Sequence, residues 1–245
     1  MSSKPYTDEC KIEAVRQAAD RGFKVAESAA ARPRNAVHGP HGLGDAERHL
    51  AAACKRLARV IPDHEPYPTR FERNRDPYRA LVRAVVFQQL SGKAAATIHG
   101  RLLGLYPGKV HPEPEDLLVT PVDALRSAGL SRQKIAAIQD IARKRGEGVI
   151  PHARTLARLD DAEIIARLTT VRGVGRWTVE MYLIFTLGRP DVLPVDDLGV
   201  RKGAEKLYRR SFTPRELGAY GERWAPWRSA AAWHLWRVAD TLLPQ

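Results

Sequence analysis

Apolar residues recur every three or four positions along most of this chain, which is the spacing of amphipathic helices. No stretch shows the sustained apolar–polar alternation of a half-buried strand. The predicted helices cover residues 45–59, residues 77 to the QQLS sequence at 88–91, and residues 93–105, 121–127, 131–144 and 160–168, followed by a run that ends at 188 and a last helix at 230–243. We therefore predict an all-α fold.

Several predicted helix ends carry residues that favour them. Ser131 is a capping residue, and Gly129 and Gly146 stand where helices would stop. Residues 213–216, TPRE, form a capping-box pattern with proline in the first turn. Cys54 falls on the apolar face of the 45–59 helix, so we predict that it is a small core residue.

The chain is strongly basic. Its 245 residues include 40 Lys and Arg against 28 Asp and Glu, a net charge of +12. This excess favours a polyanionic partner, most commonly nucleic acid, although ribosomal and membrane-surface proteins share it. Two cysteines, Cys10 and Cys54, are too few for a four-cysteine iron–sulfur cluster or a zinc knuckle. No apolar run reaches about 18 residues and no signal-peptide core is present, which predicts a cytoplasmic protein with reduced thiols.

A glycine pair, Gly173 and Gly175, precedes the helical run that ends at residue 188. Such a pair lets the backbone turn tightly and expose N–H groups that suit a phosphate, but a lone pair is also common in ordinary loops. The full strings VRGVGRWT at 171–178 and LPVDD at 193–197 are more specific. They resemble the helix-hairpin-helix and Gly/Pro/Asp region of the HhH-GPD DNA glycosylase superfamily, in its 3-methyladenine DNA glycosylase II branch.

The resemblance covers roughly residues 45–243 and implies two helical lobes with a cleft between them. One lobe would comprise residues 45–80 with 195–245, and the other residues 81–194, including the helix-hairpin-helix at 169–188. Residues 1–44 form an amino-terminal extension. Residues 4–30 resemble the start of a transposase helix-turn-helix but lack a recognition helix, so we predict a helical or mobile appendage without a role in the main activity.

The resemblance identifies Asp197 as the catalytic residue. Breaking the bond between base and sugar builds positive charge on the sugar, which a nearby carboxylate stabilises while it positions water. The family's aspartate is followed three residues later by an apolar residue, a pattern met by Asp197 with Val200 but not by Asp196 with Gly199. The structural alternative is that both aspartates only cap the next helix.

Aromatic residues would form the base pocket. By resemblance Trp177 and Trp236 are pocket walls, with Tyr182 as a third, because aromatic faces attract a cationic alkylated base. The alternative for each is an ordinary core aromatic. Relatives that also nick the strand carry lysine at the hairpin position of Trp177, so the resemblance implies a monofunctional enzyme. Met181 and Leu198 replace tyrosines of the best-known relatives, which favours cationic lesions over neutral ones.

The resemblance also assigns the contacts with DNA. Gln89 or Leu90 would be the wedge that fills the space of an extruded base, although residues 88–91 could simply be a polar helix end. Gly173, Gly175 and Arg176 of the hairpin would grip the strand.

The hairpin of the family also binds a monovalent cation. The matching positions are Thr169, Val171 and Val174, whose main-chain carbonyls would hold Na+ or K+. We predict no required cofactor.

These observations predict a monofunctional DNA glycosylase of base excision repair that acts as a monomer on alkylated purines in double-stranded DNA. It would be cytoplasmic, associated with the nucleoid and not with a membrane. The alternative is a non-catalytic helix-hairpin-helix protein that only binds DNA. A transposase-related regulator would rest on residues 4–30 alone.

Overall fold

The protein is described here by a computed structural model that covers residues 44–68 and 76–240. Within these ranges every regular element is a helix, and no strand occurs. The prediction of an all-α fold is therefore confirmed. No helix in the described ranges has the length and apolar character needed to cross a membrane. The predicted extension at 1–44 lies outside the described residues except for Gly44, as do residues 241–243 of the last predicted helix.

Thirteen α-helices occur in the described residues, joined by two short 3₁₀ turns and one π-helical segment. The 3₁₀ turns are Ile61–Asp63 and Glu222–Trp224, and the π-helical segment is Leu183–Leu187. The helices are α1 (Asp45–Ala53), α2 (Lys55–Val60), α3 (Pro77–Phe87), α4 (Gly92–Gly104), α5 (Pro114–Val119), α6 (Val122–Ser127), α7 (Arg132–Gly146), α8 (Ala153–Leu156), α9 (Asp161–Leu168), α10 (Arg176–Tyr182), α11 (Leu198–Tyr208), α12 (Pro214–Gly221) and α13 (Arg228–Asp240). The sequence-based prediction does not include α5 or α8, and α8, with four residues, is too short to show a helical period.

Two compact units divide the described residues. The hairpin unit comprises residues 76–182, and the aspartate unit comprises residues 44–68 with 183–240. The sequence places these divisions after residues 80 and 194 instead. Helix α3, which includes residues 77–80, packs on α4 and α7, and all of it belongs to the hairpin unit. Ser229 of α13 bonds to the carbonyl of Arg189 and to the N–H of Val192, which assigns that segment to the aspartate unit.

Helix α7 lies at the centre of the hairpin unit, packed against α3, α5 and α6. Its buried apolar face consists of Ile135, Ile138 and Ile141. Ser131 caps the helix as predicted, accepting the N–H of Lys134 at 3.3 Å. The helix continues two residues beyond its predicted end to Gly146, and Gly148, at φ +76°, makes the left-handed turn that leads away from it.

Helices α11 and α13 pack closely in the aspartate unit. A Cβ atom on Gly203 of α11 would lie 1.9 Å from the carbonyl oxygen of Leu235 in α13, so only glycine fits there. Trp224 and Trp233 are completely buried in the same unit. The two helices that carry Asp197 and Trp236 therefore meet backbone to backbone.

The single helix predicted over residues 45–59 is wrong. Cys54 has an extended backbone, φ −149° and ψ 105°, which separates α1 from α2. The apolar residues on both sides still fall at helical spacing, so a one-residue interruption leaves no trace in the pattern. Cys54 is buried as predicted, and its Sγ lies 3.0 Å from the hydroxyl of Tyr208.

Candidate active site

Asp197 begins helix α11. Its Oδ1 accepts the N–H of Val200 at 2.8 Å, the bond of an N-capping residue, and its own N–H closes a turn on the carbonyl of Pro194 at 3.0 Å. Only 1% of Asp197 is exposed, whereas the neighbouring Asp196 is exposed to solvent. Of the two adjacent aspartates, Asp197 is therefore the one whose carboxylate has a fixed orientation.

Trp236 of α13 provides a second donor to the same carboxylate. Its indole Nε1 donates to Asp197 Oδ1 at 2.8 Å, and the residue is buried. A charge-assisted bond of this kind is stronger than a neutral one and restricts both side chains. Two residues that the sequence assigns to different roles, acid and pocket wall, are thus in direct contact.

Close packing surrounds this pair. A Cβ atom on Gly199 would lie 2.7 Å from Cδ1 of Trp236 and 3.1 Å from Oδ1 of Asp197. Phe185 stacks on the indole of Trp236, with ring centroids 5.7 Å apart and an angle of 29° between the planes. Gly199 and Phe185 therefore confine the indole from two directions.

Phe185 is a site residue that the sequence-based prediction lacks. The residue lies in the π-helical segment Leu183–Leu187, a geometry that is often found at functional sites. Phe185 follows Tyr182 by three residues, which would place both on one side of an α-helix. The change from α-helical to π-helical geometry cannot be predicted from that spacing.

Trp177 and Tyr182 lie on α10 in the hairpin unit, so their helix differs from those of Asp197 and Trp236. Trp177 is half-buried in the first turn, and Tyr182 is buried at the last residue. Burial, with a smaller effect of Asp76, raises the pKa of Tyr182 above its ordinary range. The Tyr182 hydroxyl makes no hydrogen bond to any described residue.

The hairpin before α10 is held against α7. Gly173 has φ +78°, and a Cβ atom there would lie 2.8 Å from the Cβ of Ala137. Both the backbone conformation and the close approach of α7 therefore require glycine at this position. The N–H of Arg172 donates to the carboxylate of Asp140 at 2.8 Å. Further along, Arg176 pairs through Nε with the buried Glu180 at 2.9 Å. Of the predicted grip residues, Gly173 therefore lies in a turn that packs against α7, and Arg176 begins the helix that follows.

The predicted wedge residues lie in the turn between α3 and α4. Gln89 is exposed with φ +57°, and Leu90 is half-buried. Gln88, which the sequence analysis does not single out, donates its side-chain amide to the carbonyl of Gly173 at 2.9 Å. The wedge turn and the hairpin are therefore joined within the hairpin unit.

A family model for the HhH-GPD superfamily base excision DNA repair proteins matches residues 82–228. The chain belongs to this superfamily. The match covers the wedge turn, the hairpin and Asp197, so the resemblance found from short strings extends over most of the described chain.

Several HhH-GPD relatives are similar over most of their length. DNA-3-methyladenine glycosylase 1 of Schizosaccharomyces pombe is 39% identical over 202 residues, which are 80% of this chain and 88% of that protein. The structure of the 3-methyladenine DNA glycosylase of the same yeast in complex with abasic DNA matches with a TM-score of 0.71 and 37% identity, over 80% of this chain and 97% of that one. A DNA-3-methyladenine glycosidase structure from Bacillus halodurans matches with a TM-score of 0.72 and 34% identity, over 81% and 90%.

The HhH-GPD resemblance implies a cation whose ligands would be main-chain carbonyl oxygens. The carbonyl of Val171 accepts the N–H of Val174 at 3.1 Å, which uses one of its two lone pairs. Neutral carbonyl oxygens suit a hard cation, so the donor set at Thr169, Val171 and Val174 fits Na+ or K+. No cluster of three or more His, Cys, Asp or Glu side chains suited to a metal occurs in residues 44–68 and 76–240.

Proposed function

We propose that this protein is a monofunctional DNA glycosylase that hydrolyses the N-glycosidic bond of alkylated purines, such as 3-methyladenine and 7-methylguanine, in double-stranded DNA. The proposal is supported by membership of the HhH-GPD superfamily and by long, well-matched relatives named for 3-methyladenine excision. The observation that carries it is the hydrogen bond from Trp236 to Asp197, because it fixes a carboxylate at a helix start. A protein that only bound DNA could use Asp197 as a cap for α11, but that role alone does not require the second donor from Trp236.

Asp197 is the group that we assign to the sugar. As the base leaves, positive charge develops on the deoxyribose, and a preorganised carboxylate stabilises that charge without reorganisation. Val200 and Trp236 orient the carboxylate by donating to Oδ1. The same group would position the attacking water, as carboxylates do in other glycosidic cleavages.

The absence of an amine in the hairpin helix supports hydrolysis without strand cleavage. A glycosylase that nicks its strand forms a Schiff base through an amine, and Trp177 stands where such relatives carry lysine. We therefore expect the reaction to use water and to leave an intact strand with an abasic site.

Aromatic side chains are assigned to the extruded base. Trp177 and Tyr182 on α10 and Trp236 on α13 would offer electron-rich faces to a cationic purine. Phe185 covers one face of Trp236, so stacking of a base on this indole would use the opposite face.

The contacts with DNA are assigned to the wedge turn and the hairpin. Gln89 or Leu90 would fill the space of the extruded nucleotide, and Gly173, Gly175 and Arg176 would grip the strand. A monovalent cation held by the carbonyls of Thr169, Val171 and Val174 would add positive charge beside the phosphate. We expect the protein to act as a monomer where the cell's DNA is located.

Purified protein incubated with methylated duplex DNA tests the proposal. Chromatography of the ethanol-soluble fraction should detect free 3-methyladenine and 7-methylguanine, while a denaturing gel should show intact strands that break only after alkali. Binding without base release would instead identify a non-catalytic DNA-binding protein. Strand breaks without alkali, together with borohydride trapping on the protein, would identify a bifunctional enzyme.

A further inference from the structure

We infer that Lys134 is a positioning residue that holds the wedge turn in the conformation needed to open the duplex. The inference rests on the proposed function. The side chain of Lys134 bonds to main-chain carbonyls of α3 and of the turn that follows it, more than forty positions away in the chain. Helix α7, which carries Lys134, also supports the hairpin.

The ammonium group of Lys134 binds two main-chain carbonyls at the end of α3. Its Nζ donates to the carbonyl of Val86 at 2.6 Å and to that of Gln88 at 2.8 Å. Carbonyls in the last turn of a helix have no partner within the helix, and a cation there completes their hydrogen bonding and complements the helix dipole. One ammonium group therefore bonds both to the last turn of α3 and to the first residue after it.

The turn itself adopts a conformation that its sequence does not favour. Gln88 has φ −56° and ψ 135°, and Gln89 has φ +57°, which match the two central positions of a type II turn. The second of these positions favours glycine, because an L side chain is strained at positive φ. A glutamine there needs surrounding contacts that hold it, and Lys134 bonds to the carbonyl immediately before it.

One face of α7 supports both segments assigned to DNA. Lys134, Ala137 and Asp140 follow one another at three-residue steps, so they lie along one side of the helix. Lys134 holds the wedge turn, Ala137 contacts Gly173, and Asp140 accepts the N–H of Arg172. The amide of Gln88 then joins the turn to the hairpin through the Gly173 carbonyl. The wedge turn, the hairpin and α7 are thus linked to one another by hydrogen bonds.

Burial of the side chain agrees with this role. Lys134 is half-buried, and burial lowers its pKa to about 8. A charged group in such surroundings is favourable only when its donors are bonded. The two carbonyl bonds meet that requirement, and an apolar residue of similar length would leave the carbonyls of Val86 and Gln88 without this donor.

Lys134→Met tests the inference because it preserves length and removes the donors. The readout is the single-turnover rate of 7-methylguanine release from a matched duplex, divided by the rate from the same lesion in a short unpaired bubble, where no partner strand resists extrusion. We expect this ratio to fall about tenfold or more, because a displaced wedge penalises only the paired substrate. Lys144→Met, on the same helix with an exposed partner in Glu147, should keep the wild-type ratio.

Gln88→Met provides a second route that does not remove a buried charge. It breaks only the link between the turn and Gly173, and we expect a smaller fall in the same ratio. Rates that fall equally on both substrates, or an unchanged ratio in both variants, would overturn the inference. A wild-type protein that releases no base from either substrate would overturn the proposed function itself, and the inference with it.

Discussion

Trp236 and Asp197 share a hydrogen bond of 2.8 Å that places an indole N–H on the carboxyl oxygen at the start of α11. The same oxygen accepts the N–H of Val200, so one atom both caps a helix and receives the tryptophan. The position of the proposed catalytic group is therefore set by two helices at once. A change to either partner should therefore alter the rate, and a change that removes one of the two hydrogen bonds should also lower stability.

Asp197→Asn should abolish most activity while leaving the fold intact. Asparagine is an equally good helix cap and retains an oxygen for Trp236, so we expect the free energy of unfolding to change by less than about 1 kcal/mol. Loss of the negative charge should lower the single-turnover rate of base release by about 10²–10³-fold. Asp196→Asn is the matched control, since Asp196 is exposed, and it should retain nearly full activity. Equal losses in both variants would refute the assignment to Asp197.

Trp236→Phe separates orientation of the carboxylate from aromatic packing. Phenylalanine keeps a ring beside Phe185 but removes the donor to Asp197, so we expect the rate of base release to fall about tenfold or more. The free energy of unfolding should fall by about 2–3 kcal/mol from the smaller ring and the lost buried bond. Trp227→Phe, at a half-buried position in the same unit, should change the rate little. A full rate in Trp236→Phe would show that the indole N–H is dispensable.

Gly199→Ala should disturb the site by crowding. The added methyl would lie 2.7 Å from Trp236 Cδ1, and such overpacking costs about 1–3 kcal/mol of stability. We expect base release to slow as the indole moves from Asp197. Gly100→Ala on α4 meets no atom within 4 Å and should be neutral or slightly stabilising, by up to about 1 kcal/mol. Thermal unfolding and rate measurements on both variants test this, and a wild-type rate in Gly199→Ala would contradict it.

A histidine pair, His64 and the buried His234, predicts loss of stability in acid. His64 and His234 stack with ring centroids 5.5 Å apart, and their Nδ1 atoms are 3.3 Å apart. Burial, with smaller effects of His64 and Arg237, lowers the pKa of His234 from 6.5 to about 3. Between these two pKa values the unfolded chain binds a proton that the folded chain does not. The contribution of the neutral His234 to the free energy of unfolding is therefore fully present above pH 6.5, and it declines as the pH falls towards 3.

Urea unfolding at pH 8 and pH 5 measures this effect. One histidine with these pKa values should cost the wild type about 2 kcal/mol over that interval. His234→Phe should lose much of this pH dependence, while His64, whose pKa burial also lowers, accounts for a remaining part. An unchanged difference between the two pH values in the variant would show that other groups are responsible.

Local signals in the sequence predict the fold well. Helix periodicity indicates most of the long helices, and Thr213 and Glu216 exchange both hydrogen bonds of the predicted capping box. These features depend on neighbours within one or two turns. The choice of Asp197 over Asp196 rests on the resemblance, whose pattern has an apolar residue three positions later, and the N–H of that residue, Val200, donates to Asp197.

Contacts between distant residues could not be predicted in the same way. Phe185 stacks on Trp236 from a π-helical segment, and neither that segment nor the stacking can be read from the sequence. The extended backbone of Cys54 is a local feature, but it leaves the apolar pattern on both sides unchanged. No pattern in the sequence relates Lys134 to residues 86–88, and only the fold brings its ammonium group to the end of α3. These contacts depend on which helices pack together, and the spacing of apolar residues along the sequence does not show that.

The contact between Gly203 and the Leu235 carbonyl sets the limits of change in the aspartate unit. Because main chain meets main chain there, the separation of the two helices does not depend on the size of nearby apolar side chains. Laboratory selection for new base preferences could therefore vary apolar side chains of this unit without changing the separation of the helices that carry Asp197 and Trp236, as long as that one glycine is kept.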